Sequence, residues 1–294
     1  MNIKQLETFL AIVQCGSFNA AADRLNATPS TITARIQELE QDLGVALFDR
    51  SQRRAHLTAK GRELQVYAER ATSAFAEIKV RVGSGDALSG IVKLGVAELV
   101  AVTWLPAMVE LIHNNYPKLT LELDVDLTVA LAQRLDKGEI DLALIPGVYF
   151  GDHLAARSLG RVRFAWMAGR SAALPDQLVE PYHLEHMRIL SLGRDSYHHG
   201  TVEHWLSSNK DRPRSVDLCN SMGVIESLTR AGVGVSLLPV SCYAAEVAAG
   251  DLKVLKTQPE GPVVEFFAVY PKRPLTNIPT LIAELAENAS TFEM

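Results

Sequence analysis

Residues 18–43 have the pattern of two short amphipathic helices joined by a tight turn. Apolar residues recur at spacings of three and four at Phe18, Ala21, Ala22 and Leu25, and again at Ile32, Ile36, Leu39 and Leu43. Thr28 can cap the second helix with its hydroxyl, and Pro29 suits the first turn because no amide hydrogen is needed there. The pattern predicts a helix-turn-helix, although these residues alone also fit an ordinary helical hairpin.

The second helix of this pair carries the residue types that contact DNA. Its outward face bears short hydroxyl groups and one guanidinium, which suit base edges and phosphates in a major groove. Residues 47–58 then form a polar segment with apolar ends that predicts a two-stranded wing, whose arginines can lie along the sugar-phosphate backbone. We expect DNA contacts from Ser17, Thr28, Pro29, Ser30, Thr31, Thr33, Arg35, Arg50, Arg53 and Arg54.

The first sixty residues resemble the LysR-type bacterial transcriptional regulators. The resemblance runs through Leu6, Phe9, Gly16, Ser17, Phe18, Ala21, Ala22, Leu25, Ile36, Leu39, Glu40, Leu43, Gly44, Leu47, Phe48, Arg50, Leu57, Thr58 and Gly61. Pro29 and Ser30 stand where the family often has Gln and then Pro, and Ala34 stands where it often has a basic residue. The resemblance implies a winged helix-turn-helix, and the departures predict a different DNA half-site.

The charge of the chain is unevenly distributed. Residues 1–82 carry 11 Lys and Arg against 9 Asp and Glu, whereas the remainder carries 18 against 25, for a total net charge of −5 over 294 residues. A mildly basic region on an acidic protein can bind DNA if its arginines share one face. We expect modest non-specific affinity for double-stranded DNA.

Several features indicate a cytoplasmic protein. The N-terminus opens into an amphipathic helix without a signal-peptide core, and no apolar stretch approaches the ~20 residues that span a bilayer. Cys15, Cys219 and Cys242 are scattered among apolar residues, so a disulfide framework is not expected. We expect buried thiols and no membrane partner.

Residues 59–82 predict one continuous helix with an apolar seam. The seam follows a 3.5-residue repeat through Leu64, Ala68, Ala71, Phe75, Ile78 and Val82. Such a helix needs a partner, either the rest of its own chain or a second copy. We favour a second copy, because DNA-reading dimers hold two heads about one helical turn apart, and the resemblance implies the same. Residues 83–86 predict a flexible joint.

From residue 91 onward, strands and helices alternate. This alternation predicts a parallel sheet covered by helices on both faces. The predicted strands are 91–96, 119–125, 141–145, 164–167, 188–191, 235–238 and 266–270, and the predicted helices are 99–113, 129–136 and 278–288.

This second half resembles the effector domain of the same regulators, which is similar to periplasmic solute-binding proteins. The resemblance rests on Gly95, residues 105–106, 116–117, 138–143 and 231–235. It implies an α/β, two-lobed domain with a small-molecule co-inducer bound between the lobes. The expected organisation is a head at 1–58, a linker helix and hinge at 59–87, and a body at 88–294. Lobe 1 comprises 88–161 and 267–294, and lobe 2 comprises 162–266. Homodimers or homotetramers are expected, with RNA polymerase as a candidate partner.

The expected effector-binding residues follow the predicted strands. They are Ala97, Glu98, Leu99, Val100, Thr128, Ser196, Tyr197, His198, His199, Thr201, Asn220 and Ser221. Glu98 can face an amine-bearing ligand or merely favour the positive end of the helix that it opens. Thr128 can contact a ligand or cap a helix. Two adjacent histidines suggest metal or pH sensing, but loop neighbours point differently and no further ligand stands at suitable spacing, so we expect no metal and no other cofactor.

Two other classes of protein compete with a regulator. An enzyme with a DNA-binding head would need a nucleophile with its base, and no motif such as GxSxG or HExxH occurs. A transport component would need an export signal and would not begin with a helix-turn-helix. The sequence therefore favours a ligand-responsive regulator without enzyme activity.

Overall fold

The computed structural model describes residues 1–49, 55–81, 88–147, 151–172, 178–184, 187–206, 215–272, 274 and 277–293. Side chains at 73, 76, 77 and 79–81 are outside this description. The predicted hinge at 83–86 and Arg50, Arg53 and Arg54 of the predicted wing also lie outside the described residues.

The head consists of short helices followed by a small β-ribbon, and a long helix leads away from it. Its elements are α1 (Ile3–Cys15), α2 (Phe18–Arg24), α3 (Pro29–Leu43), β1 (Phe48–Asp49), β2 (His56–Leu57) and α4 (Ala59–Arg81). Thr28 caps α3, since its side chain accepts a hydrogen bond from the Thr31 amide at 3.2 Å. Asn26 adopts φ +46° in the turn before it, a conformation that Asn tolerates better than most residues. The predicted helix-turn-helix is confirmed.

The head has its own hydrophobic core. Phe9 of α1, Ile32 and Leu39 of α3, and Leu47 are fully buried together. Helix α4 also packs against this core, through Ala68. Gly61 permits the close approach, because a Cβ atom there would stand 2.2 Å from the Leu47 carbonyl oxygen.

The predicted wing is present as a short antiparallel ribbon. Phe48 pairs with Leu57, and Asp49 pairs with His56. Glu40 of α3 anchors its start, since its carboxylate accepts from the Leu47 amide at 2.7 Å. The ribbon is therefore fixed to the helix that precedes it.

The predicted continuous helix is confirmed as α4, and its seam has two environments. Leu64 and Ala68 pack against the head core. Further along, Ile78 is 58% exposed. The exposed part of this apolar seam is suited to packing against the same helix of a second copy of the chain.

The body follows as a longer series of strands and helices. Its elements are β3 (Gly90–Val96), α5 (Glu98–Val102), α6 (Leu105–Asn115), β4 (Leu119–Val125), α7 (Thr128–Asp136), β5 (Leu142–Pro146), β6 (Leu154–Gly169), β7 (Ile189–Leu192), α8 (Tyr197–Leu206), β8 (Val216–Cys219), α9 (Met222–Arg230), β9 (Val235–Pro239), α10 (Ala244–Ala248), β10 (Leu252–Val254), β11 (Val263–Pro271) and α11 (Ile278–Ala289), with short 3₁₀ helices at Pro181–Leu184 and Val240–Tyr243. Strands β8 and β10 and helices α8, α9 and α10 were not predicted from the sequence.

The described strands of the body join in the order β4-β3-β5-β11-β6-β9-β7-β8, with β10 beside β6. On one side β3 is parallel to β4 and β5, and on the other β7 is parallel to β8 and β9. The prediction of a parallel sheet is wrong in the middle, where β6 and β11 run antiparallel to each other and to their outer neighbours. These two strands carry the chain directly between the two halves, so no crossover helix is needed.

The predicted helix at 99–113 is wrong as one element, because α5 ends at Val102 and α6 begins at Leu105. Thr103 has φ −101° and ψ −86°, outside helical geometry. Pro106 has no amide hydrogen, so a continuous helix would lose its hydrogen bond to the Val102 carbonyl, whereas none is needed in the first turn of α6. It therefore starts the second helix and interrupts the first.

The three cysteines lie at the edges of the two cores. Cys15, Cys219 and Cys242 are half-buried free thiols that pack against the head or body core. Burial raises the pKa of the Cys15 and Cys242 thiols. In the described part of the chain, no helix is both long and apolar enough to cross a bilayer.

Arg24 connects the head to the body. Arg24 of α2 donates to the Gly138 carbonyl and, at 3.1 Å, to the Asp141 carboxylate. The other oxygen of Asp141 accepts from the Lys93 amide of β3 at 2.9 Å. One carboxylate thus links the helix-turn-helix to the first strand of the body.

Leu39→Ala should destabilise the head by about 2–5 kcal/mol, because it empties a fully buried position in a closed core. Leu43→Ala is the matched control in the same helix, since Leu43 is 37% exposed, and should cost about 0.5 kcal/mol or less. Hydrogen exchange of head amides in increasing urea measures both. Equal losses for the two variants would show that α3 does not close the core as described.

Candidate functional site

The body has two halves, one built on the parallel strands β3, β4 and β5 and the other on the parallel strands β7, β8 and β9. A cavity of about 290 Å³ lies where these halves meet. It stands at the carboxyl ends of β3, β4 and β5 on one side and of β7 and β8 on the other, the edge at which α/β sheets commonly bind ligands. The structure brings these sequence-predicted residues to its wall: Ala97, Glu98, Leu99, Thr128, Ser196, Tyr197, His198, Thr201, Asn220 and Ser221.

Two predicted residues are placed elsewhere. Val100 is fully buried within α5 and packs into the body core, so it does not reach the cavity wall. His199 also lies outside the cavity wall, and its Nδ1 is 3.4 Å from the Ser191 hydroxyl. Helical geometry separates it from the neighbouring histidine by about 100°.

The two histidines lie on helix α8, so their placement on a loop was wrong. His198 is buried, and its Nε2 donates to the Leu237 carbonyl at 2.8 Å. Burial lowers the pKa of His198 to about 4, against a smaller opposing effect of that hydrogen bond. The ring is therefore neutral near pH 7. Among the described residues, no group of three His, Cys, Asp or Glu side chains could hold a metal ion.

Glu98 connects the two halves across the cavity. It lies in the first turn of α5, as expected, but its carboxylate binds the start of α9. One oxygen accepts from the Ser221 hydroxyl at 2.8 Å and the other from the Met222 amide at 2.5 Å. A third donor, the Gly223 amide, is 3.4 Å away. The negative charge thus occupies a helix N-terminus, where backbone donors and the helix dipole stabilise it.

Thr128 forms a second connection on the opposite wall. Helix α7 begins at Thr128 with Leu127 as its N-cap, so of the two alternatives for Thr128 the helix cap is not observed. Its hydroxyl instead accepts from the Tyr197 amide of α8 at 3.4 Å. Next to it, the Val129 amide donates to the Asp195 carbonyl at 3.0 Å. Contacts on both walls therefore connect the two halves of the body.

Sequence reasoning missed the apolar part of the wall, because it sought polar residues after strands. Phe164 of β6 and Val264 and Phe266 of β11 form a floor from the crossing strands. The alternation of Val264 and Phe266 was the available signal, since residues two apart share one face of a strand. The other missed lining residues are Val125, Asp126, Leu127, Pro146, Leu192, Met222 and Leu237.

The start of α3 presents a cluster of hydroxyl groups to solvent. Ser30, Thr31 and Thr33 are exposed, and the Thr28 hydroxyl lies 2.8 Å from each of the Ser30 and Thr31 hydroxyls. Thr33 donates to the Pro29 carbonyl at 2.9 Å, which leaves its oxygen able to accept.

The other predicted DNA contacts have local roles as well. Ser17 caps α2, since its side chain accepts from the Ala20 amide at 3.2 Å. Arg35 is half-buried, and its guanidinium donates to the Thr8 hydroxyl at 3.4 Å. Base or phosphate contacts from these residues stay predictions.

Comparison with known proteins covers both parts of the chain. The family described as "Bacterial regulatory helix-turn-helix protein, lysR family" matches residues 3–62, and the family described as "LysR substrate binding domain" matches residues 85–289. The HTH-type transcriptional regulator CzcR of Bacillus cereus is 27% identical over 244 residues, which are 82% of this chain and 81% of that one.

Solved structures show the same fold over the full length. Full-length LysG from Corynebacterium glutamicum with bound effector Arg has a TM-score of 0.64 at 22% identity, covering 100% of both chains. Full-length OxyR from Pseudomonas aeruginosa has a TM-score of 0.63 at 19% identity, covering 98% of this chain and 94% of that one.

The helix-turn-helix, the two-part body with its central cavity, and the two family matches agree with one another. The larger match alone spans more than half of the chain. The protein belongs to the LysR family of bacterial transcriptional regulators, which combine a DNA-binding helix-turn-helix with an effector-binding domain.

Proposed function

We propose that copies of this chain assemble in the cytoplasm, read a promoter site through α3, and change transcription when a small co-inducer enters the cavity. The observation that carries the proposal is a cavity whose wall is built from both halves of the body. A ligand there contacts both halves at once, so it can favour one arrangement of them over another.

Gating requires more than binding. The ligand must have different affinities for two arrangements of the protein, and the difference sets the largest possible response. The Glu98 and Thr128 contacts join the two halves, so we propose that they are the interactions that such a change of arrangement would alter. Arg24 then offers a direct connection from the body to the head through Asp141.

Assembly through α4 follows from its exposed apolar seam. We propose a homodimer at this helix, a homotetramer through further contacts, and RNA polymerase as a partner at the promoter. No catalytic role is proposed, because the hydroxyls of Ser196 and Thr201 and the imidazole of His198 donate to backbone carbonyls and the Ser221 hydroxyl donates to Glu98, so none of these groups is paired as a nucleophile with its base.

The direct test is a titration of the purified protein on the DNA upstream of its own gene, with random duplex as control. We expect tighter binding to the upstream DNA and a steep salt dependence, because neutralised phosphates release counterions. Binding that is equally weak on both duplexes in several salt concentrations, with and without cell extract as a source of co-inducer, would contradict the proposal.

Thr33→Ala should weaken binding to the upstream site by about 1–3 kcal/mol and leave random duplex almost unchanged, because a base-edge contact is lost. Fluorescence anisotropy on both duplexes measures the difference. Thr120→Ala is the control, since Thr120 is an exposed threonine on β4 of the body. An equal loss on both duplexes would remove Thr33 from base reading.

Ile78→Asp should weaken self-association by about 3 kcal/mol or more, roughly a hundredfold, because two buried side chains are replaced by charges. Val66→Asp is the matched control, since Val66 is 42% exposed on α4 but outside the seam. Sedimentation velocity over a concentration series measures both. A similar shift in the control would show that the seam is not the interface.

A further inference from the structure

The charged side chains at the cavity wall have one sign. Glu98 and Asp126 line the cavity, and no Lys or Arg occurs among the lining residues that the structure describes. His198 adds no positive charge near neutral pH, for the reason given above. Arg134 interacts electrostatically with Asp126 from outside the wall, but its guanidinium is already paired with Asp124 at 2.6 Å. A carboxylate brought into this space would still meet two like charges on the wall, which is unfavourable in a partly dry site.

The N-terminus of helix α9 is not free to bind an anion either. Backbone amides at a helix N-terminus bind anions well, and helix α9 points its N-terminus at the cavity. The amides of Met222 and Gly223 and the hydroxyl of Ser221 already donate to the Glu98 carboxylate. The chain thus fills its own anion site, and an anionic ligand would have to displace Glu98.

The rest of the wall favours a compact apolar ligand. More than half of the lining residues are apolar, among them Phe164, Phe266, Leu192, Leu237 and Met222. The cavity has a volume of about 290 Å³. This space suits a molecule of one ring with a short polar arm.

We propose that the cavity binds a small, largely apolar amine in its protonated form and rejects carboxylates of the same shape. This inference rests on the proposed function, in which the cavity is the co-inducer site. It specifies the chemical class of that ligand.

Each part of the wall then has a role. The ring of the ligand packs on Phe164 and Phe266, whose aromatic faces also attract a nearby cation. The ammonium group pairs with Asp126, an exposed side chain at the end of β4 whose second oxygen is not used in its 2.7 Å hydrogen bond with the Leu127 amide. Glu98 contributes negative potential and keeps its own donors.

The test uses calorimetric titration of the full-length protein with phenethylamine, phenethyl alcohol and hydrocinnamate, which share a ring and differ in charge. We expect phenethylamine to bind at least about tenfold more tightly than hydrocinnamate, with the alcohol between them. Equal or tighter binding of hydrocinnamate would overturn the proposal. Absence of phenethylamine binding up to millimolar concentration would overturn it too.

Two variants locate the selectivity. Asp126→Asn should reduce phenethylamine affinity severalfold and leave phenethyl alcohol unchanged, whereas Glu110→Gln, an exposed carboxylate of α6 outside the cavity, should change neither. Glu98→Ala vacates the α9 amides, so hydrocinnamate should bind more tightly than to the wild type. Asp126→Asn still tests the proposal if Glu98→Ala fails to fold. If Asp126→Asn still prefers phenethylamine to phenethyl alcohol as strongly as the wild type does, Asp126 does not bind the ammonium group and the proposal is contradicted.

These outcomes are separable from those that test the proposed function. If the wild-type protein prefers its upstream DNA but binds hydrocinnamate best, the proposed function stands and the proposed ligand class is wrong. If it binds phenethylamine selectively but shows no DNA preference, the ligand class stands and the proposed function is wrong.

Discussion

The antiparallel pairing of β6 with β11 is the interaction on which the body depends. Strand β6 pairs with β11 from Leu154 to Arg163 and with β9 from Phe164 to Ala168, so one extended segment belongs to both halves. The same two strands supply the apolar floor of the cavity. Any change in the relative position of the halves must therefore be absorbed by twisting or bending of these strands, since their hydrogen bonds resist separation.

Glu98 connects the two halves of the body through its own carboxylate. This carboxylate places a negative charge at the N-terminus of α9 and accepts hydrogen bonds from Ser221 and Met222. In the proposed function, a ligand in this cavity would gain from contact with its apolar floor. The response would then depend on how the ligand alters the Glu98 contact, since a ligand that binds two states equally well does not change their populations.

The sequence predicted features whose causes are local and missed those whose causes are distant. Thr28 and Pro29 identify the start of α3 within a few residues, and the apolar periods of α1 and α3 describe one continuous core. By contrast, Glu98 forms a hydrogen bond with Ser221, which is 123 residues away in sequence, and no residue near Glu98 indicates that partner. The orientation of β6 and β11 is likewise decided by pairing between remote segments, whereas alternating strands and helices suggested a parallel sheet throughout.

The order of elements along the chain has a consequence for synthesis. The head core is complete once α4 has emerged from the ribosome, because its members lie between Leu6 and Ala68. The body cannot close until β11 and α11 have been made, since they complete the central pairing and the packing against α6. Domains generally fold as units in the order of synthesis, so each new molecule holds a finished DNA reader before its control domain exists. A prematurely terminated chain would retain that reader without the means to regulate it.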